Sequence, residues 1–258
     1  MIHSVGIHLP QNIGLPMPIM HARVSALLIY LMGTVACAKD GTDVTYELPK
    51  DGKAVVFVYD EQNGFTPPRQ NDSPMLTIRA NGTIEMPTLY GQGRDVNGKI
   101  SQQELQDFLR FVIEENRFFE FDPATVQSEI QEARLKRQIP QIADAPDNVF
   151  EIRLANRKHN VRQYAVGTAS QYKEIEALQQ LWAIQRRIFH LRSETRVGGK
   201  QGIKSLLKQA NAELKKLYPN INPFTDDEFG GSYIRDNGII SATFSRSGKT
   251  KDGQPNGT

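Results

Sequence analysis

Residues 75–89 read MLTIRANGTIEMPTL. Two β-rich runs, 75–80 and 83–89, flank Asn81-Gly82. Asn-Gly between alternating apolar residues signals a two-residue hairpin turn, in which both central positions take positive φ. The stretch therefore predicts an antiparallel pair of strands and an antiparallel fold around it. Upstream, AVVFVY at 54–59 reads as another strand. Asn63-Gly64, followed by Phe65, Pro67 and Pro68, reads as a loop. Downstream, Ser101 with Glu104 three residues on forms a capping box. The helix it opens carries Leu105, Phe108, Leu109 and Val112 on one face.

The same grammar continues. Phe118, Phe119 and Phe121 form an aromatic anchor, and Asp122-Pro123 pairs an N-cap with Pro at the first helical position. That helix is expected to end near Gln138. Runs at 149–154 and 160–166 predict a second hairpin around residues 156–158. A long helix is expected from Ser170, with Ile175, Leu178, Leu181, Trp182, Ile188 and Phe189 as its face. Gly198-Gly199 breaks it. A further helix carries Ile203, Leu206, Leu207, Ala210, Leu214 and Leu217, with Pro219 just past its end. A third hairpin is expected around residues 236–238. The predicted class is α+β: antiparallel β-hairpins with amphipathic helices packed on one face. Hairpin followed by helix occurs twice, which reads as a ββα pseudo-repeat or as coincidence.

The chain has 258 residues, 39% of them hydrophobic and 23% charged, the composition of an ordinary globular protein. Lys and Arg number 31 against 29 Asp and Glu, so the net charge of +2 creates no global field toward nucleic acid. One Cys excludes a disulfide framework and any multi-cysteine metal site. The first 38 residues differ from the rest: Arg23 is their one Lys or Arg, and they hold no Asp or Glu. Residues 24–36 (VSALLIYLMGTVA) carry no charge. That run is shorter than the roughly 20 apolar residues of a spanning helix. With Ala36-Cys37-Ala38 behind it, it reads as a secretory leader cut before Lys39. Met17 or Met20 is an alternative start. Thr34-Val35-Ala36-Cys37 also resembles the bacterial lipobox, in which Cys37 is acylated; Thr34 replaces the usual Leu. Residues 1–38 are thus the leader, 39–52 a linker, and 53–244 the α+β domain, with 201–244 as a subdomain candidate. Residues 245–258 read as a disordered tail.

Few residues carry chemistry. Gly93 to Glu104 (GRDVNGKISQQE) matches much of a calcium-hand loop, with Asp95, Asn97 and Glu104 as candidate ligands. Gly93 stands where the first ligand belongs, so any calcium site is expected to be weak. The competing reading is a turn feeding a capped helix. No other cofactor is expected. Once the leader leaves, the histidines are His159 and His190, too few and too far apart for a zinc centre. The carboxylate pairs Asp60-Glu61 and Glu114-Glu115 and the run Asp226 to Glu228 read as solvated or turn positions. No Gly-x-Ser-x-Gly elbow or phosphate loop occurs. No catalytic residue is assigned. Residues 186–216 hold nine basic and two acidic residues. They read as a solubilising surface or as contact with an envelope polyanion, such as glycans or lipid headgroups.

The order of strand, Asn63-Gly64-Phe65 loop, Asn81-Gly82 hairpin, Leu-rich helix ending in Phe118-Phe119 and second hairpin resembles uncharacterised exported bacterial proteins, planctomycete-like in style. It is also distantly similar to emfourin, a bacterial inhibitor of thermolysin-type metalloproteases with a Gly-Gly-Phe loop. Asn63 stands where that loop has its first Gly. The emfourin likeness implies that Gly64 and Phe65 present a loop to a protease. The overall expectation is an exported, non-enzymatic protein of the periplasm, envelope or secreted fraction that binds or structures a protein or polyanion partner. Nucleic acid is not an expected partner, and a membrane is reached only through a lipid anchor. A protease inhibitor, or a hydrolase with dispersed catalytic residues, is the alternative.

Overall fold

The computed structural model describes residues 4–9, 45–64, 72–87, 96–140, 142–220, 222–234 and 240–245. The chain is α+β. Its main sheet holds six strands: β2 (Val55–Gln62), β3 (Leu76–Arg79), β4 (Thr83–Met86), β5 (Val96–Lys99), β6 (Asp147–Arg153) and β7 (Lys158–Tyr164). Their spatial order is β5-β4-β3-β2-β6-β7, and every neighbouring pair is antiparallel. β1 (Ser4–Leu9), β8 (Phe229–Ile234) and β9 (Ile240–Ser245) form a second sheet in the order β1-β9-β8. β1 lies in the stretch read as leader, and it pairs antiparallel with β9 from Ser4 opposite Ser245 to Leu9 opposite Ile240.

The turn at Asn81-Gly82 differs from expectation. Gly82 has φ +81°, but Asn81 is not left-handed. The Gly82 N–H donates to the Arg79 carbonyl at 2.8 Å, and the Thr83 N–H donates to Asn81 Oδ1 at 3.0 Å. The chain turns over Ala80-Asn81 and uses Gly82 as a left-handed bulge, the three-residue alternative to a two-residue loop.

Strand period puts Phe57, Tyr59, Leu76, Ile78, Ile84, Phe150, Ile152 and Val161 on one face of the main sheet, as their cross-strand pairing requires. All are essentially inaccessible to solvent. Against this face lie α1 (Gln102–Arg110) and α3 (Glu176–Arg196). Phe108 of α1 meets Phe57 edge-on, with ring centroids 5.0 Å apart. Gln185 of α3 donates to the Tyr59 hydroxyl at 2.9 Å and to Asn148 Oδ1 at 2.6 Å. Tyr59 in turn donates to Glu61 at 2.6 Å. Burial, with the Glu61 charge behind it, pushes the Tyr59 hydroxyl well above its ordinary pKa, so it stays a neutral donor. This polar knot satisfies groups that would each be costly to bury alone.

α1 begins with the expected capping box between Ser101 and Glu104 and runs on as a π-helical turn over Phe111–Glu115. α2 (Pro123–Arg137) has Asp122 as N-cap and ends at a left-handed Gln138. α3 starts six residues later than Ser170; Val166–Gln171 form a 3-10 segment instead. The two hairpins are thus followed differently, by β5 and α1 in one case and by the 3-10 segment and α3 in the other. α4 (Gly199–Leu217) turns off α3 at Gly198. Its Ile203, Leu206, Ala210 and Leu214 join Val197, Phe224, Phe229, Ala242 and Phe244 in a second hydrophobic cluster. Ser232 Oγ donates to the Ser193 carbonyl at 3.0 Å and ties this cluster to α3. Among the described residues, no helix is long and apolar enough to cross a membrane.

Candidate functional site

Gly98 lies where a cleft forms against α3. A Cβ there would fall inside the van der Waals envelope of Thr195 Cγ2 and 3.5 Å from Thr195 Cβ. The absent side chain lets edge strand β5 close on α3, a close approach that glycine permits. Where β5 and α1 face the corner between α3 and α4, a cleft of about 570 Å³ remains. Ile100, Phe108, Phe111 and Leu191 give it an apolar floor. Lys99, Glu104, Asp107, Arg187, Glu194 and Lys200 rim it.

Most rim charges hold one another. Lys200 Nζ lies 2.5 Å from Glu104 Oε1. The other carboxylate oxygen of Glu104 accepts from the Ser101 N–H at 2.9 Å and from Ser101 Oγ at 3.0 Å. Lys200, then the Ser101 backbone, hold the Glu104 carboxyl down to about 2. Burial pushes the Glu194 carboxyl up, but His190 at 3.2 Å and Arg187 at 3.4 Å outweigh it and hold Glu194 below its ordinary value. Asp107 is 3.5 Å from Arg110. Lys99 has no ion-pair partner among the described residues. Cross-paired charges around an apolar floor suit the enclosure of a ligand.

Of the expected calcium residues, Asn97 and Glu104 both line the cleft. Asn97 lies in β5, and Glu104 is committed to Ser101 and Lys200. Asp95 lies outside the described residues. Gly98 stands where a calcium hand bends sharply at glycine, but here it sits in a strand, with φ outside the left-handed region. Its role is close packing. Among the described residues, no group of three His, Cys, Asp or Glu is placed to hold a metal.

Gly64 lies just past β2 with φ +56°, next to Asn63 at φ +59°, whose Nδ2 donates to Asp147 Oδ2 at 2.8 Å. A Cβ on Gly64 would crowd the Asp144 carbonyl oxygen at 2.7 Å. Phe65 and Cys37 lie outside the described residues. The carboxylate pairs serve the fold: Glu61 accepts from Tyr59, Glu114 accepts from the Tyr46 hydroxyl at 2.7 Å, and Glu228 closes a capping box with Thr225.

The basic stretch divides in two. Arg192 is 6% exposed, and Arg196 turns inward to donate to the Ser232 carbonyl at 3.3 Å. Burial, then repulsion from Arg192, lowers the Arg196 guanidinium to about 10. The α4 lysines stay exposed. His190 is exposed at the surface, with its ring edge-on to Phe229 at 5.8 Å. His159 is wedged against Phe118 and Phe119, with ring centroids 5.3 and 5.7 Å away, and its buried Nε2 has no hydrogen-bond partner. Burial, then the Arg157 charge, lowers its pKa, and a backbone hydrogen bond with Phe121 opposes them.

Sequence reasoning missed the cleft because its rim comes from four separate elements. One signal was present: Arg187, His190 and Glu194 stand at helical spacing on one face of α3. No protein-family model, no curated protein and no solved structure matches this chain.

Proposed function

We propose that the protein is an exported, non-enzymatic binding module whose ligand occupies the cleft between β5, α1, α3 and α4. The observation that carries this reading is the chemistry of the cleft: an apolar floor inside a rim of mutually paired charges. Ligand sites are concave and mostly apolar, with few polar groups for orientation. Among the described residues, no hydroxyl or thiol hydrogen-bonds to His190, the one rim-adjacent histidine. Export rests on the uncharged run at 24–36 and the small residues after it.

The test uses the amphipathic aromatic anion 8-anilinonaphthalene-1-sulfonate. Saturable enhancement of its fluorescence at one site is expected. Gln201→Trp, at an exposed position on the cleft wall, should abolish it while leaving the circular dichroism and Tm unchanged. Absent binding, or binding indifferent to Gln201→Trp, would overturn the cleft reading. Intact mass and fractionation from a bacterial host test export: a mature mass beginning at Lys39 or at acylated Cys37 is expected. An uncleaved cytoplasmic product, with a competent control, would refute it.

A further inference from the structure

Arg196 is a cation that the fold withdraws from water without supplying a counter-charge. It sits half-buried at the end of α3, where β8 passes, and donates to the Ser232 carbonyl at 3.3 Å. Among the described residues, no acidic side chain pairs with it. Glu194, the last acid of α3, lines the cleft instead and pairs with His190 and Arg187. Arg192 stands one turn before Arg196 on the same side of the helix. It is buried, with its guanidinium 5.8 Å from the centre of the Phe189 ring. Burial, then the Arg192 charge, works against the Arg196 cation, yet a guanidinium at about 10 keeps its proton at neutral pH. Two like charges are therefore held together at a corner, and a buried charge is costly until an opposite one meets it. The corner is closed from the sheet side. A Cβ on Gly231 would lie 3.4 Å from Ser193 Oγ, and Ser232 Oγ donates to the Ser193 carbonyl at 3.0 Å.

We propose that Arg196, with Arg192 behind it, binds a tetrahedral oxyanion, the phosphate or sulfate group of a ligand, at the corner between α3 and β8. Guanidinium is a planar fork of donors that matches such oxygens two at a time. Two forks one helical turn apart approach from different directions. A tetrahedral anion has oxygens facing both, whereas a carboxylate has two oxygens in one plane. The anion gives Arg196 the counter-charge that the corner lacks, and the solvent-facing part of Arg196 leaves it a way in. The site is separate from the cleft, which neither arginine lines.

The experiment is isothermal titration calorimetry of the full chain with inorganic phosphate, sulfate and glycerol 3-phosphate, against acetate, in chloride buffer of matched ionic strength. One saturable site is expected for the tetrahedral anions and none for acetate. At a hundred-fold excess over Kd, Tm should rise by about 5–10 °C. Phosphate and sulfate also stabilise proteins by exclusion from their surfaces, so the rise counts only where it saturates. Arg196→Met keeps the apolar stem without the fork and should weaken binding about 10- to 100-fold. Arg196→Lys keeps the charge without the fork and should also weaken it; this variant decides the matter if Arg196→Met does not fold. Tighter binding of glycerol 3-phosphate than of phosphate would assign the group to a phosphorylated ligand, and equal or weaker binding to the free ion; both support the site. Two outcomes overturn it: tetrahedral anions that bind no better than acetate, or Arg196 variants that bind them like the parent.

Discussion

Gly202→Ala sets two effects of opposite sign against each other. Gly202 is the fourth residue of α4, so helix propensity favours Ala by about 1 kcal/mol. The fold opposes it. A Cβ at Gly202 would lie 2.5 Å from the Val197 carbonyl carbon and nearer still to its oxygen. That carbonyl is backbone at the α3–α4 corner, not the free end of a side chain. Ordinary van der Waals contact with that oxygen requires a shift of about 1.5 Å, and forcing extra atoms into a packed site costs about 1–3 kcal/mol, more where the neighbour cannot yield. Subtracting the propensity gain leaves a net loss of about 2 kcal/mol, since an immovable carbonyl puts the steric term at the top of its range. For a chain of this size each kcal/mol shifts Tm by about 2–4 °C, so calorimetry should show a fall of about 4–8 °C. Gly167→Ala is the control: its Cβ would meet nothing within 4 Å and its φ is not left-handed, so about 0.4–1 kcal/mol of stabilisation is expected. If Gly202→Ala melted at or above the parent temperature, the close corner between α3 and α4 would be refuted.

Other perturbations test the core and the titrating groups. Gln185→Leu leaves Tyr59 and Asn148 facing each other without their shared donor, and should destabilise by about 1–3 kcal/mol in urea titration; a neutral result would deny that the knot is buried. His159 has a folded pKa below its unfolded value near 6.5, so the unfolded chain binds the proton more readily. Stability from keeping it neutral is complete above that pH and falls as the pH drops toward the lower folded value; His159→Gln should flatten this slope between pH 7 and 5. Glu104 behaves as a carboxylate with a lowered pKa: its contribution is present above about 4.5 and lost as the pH falls toward about 2, and Glu104→Gln should remove that acid limb. Millimolar Ca²⁺ should leave Tm unchanged, because Glu104 is already engaged by Ser101 and Lys200; a calcium-dependent rise would restore the metal reading.

Local chemistry was legible and long-range chemistry was not. Ser101 with Glu104, and Asp122 with Pro123, are signals that span four residues or fewer, and both helices start where those signals say. β5 escaped notice because Val96 to Lys99 is short and polar. It becomes a strand by pairing with β4, a tertiary effect that propensity does not carry. The start of α3 was misplaced because Ser170 looks like a cap, while the chain first makes a 3-10 turn around buried Ala169 and Tyr172. Net charge over residues 186–216 looked like one surface. Periodicity separates it: Arg192 and Arg196 fall on the buried side of α3, whereas the α4 lysines fall outside. The cleft required Gly98 to be read against Thr195, two residues 97 positions apart in the sequence.

The pairing of β1 with β9 joins the first described strand to the last. A ribosome must make every residue between them before Ser4 can meet Ser245, so the small sheet closes after β2 to β7 of the main sheet have been made. Until then, Ile240 to Ser245 presents one row of unsatisfied amides and carbonyls. A peptidase cutting behind Ala38 would make that condition permanent: the mature chain would carry a bare sheet margin, open to strand addition by a neighbour or to self-association. Processing at the amino terminus would then act as a structural switch at the carboxyl terminus.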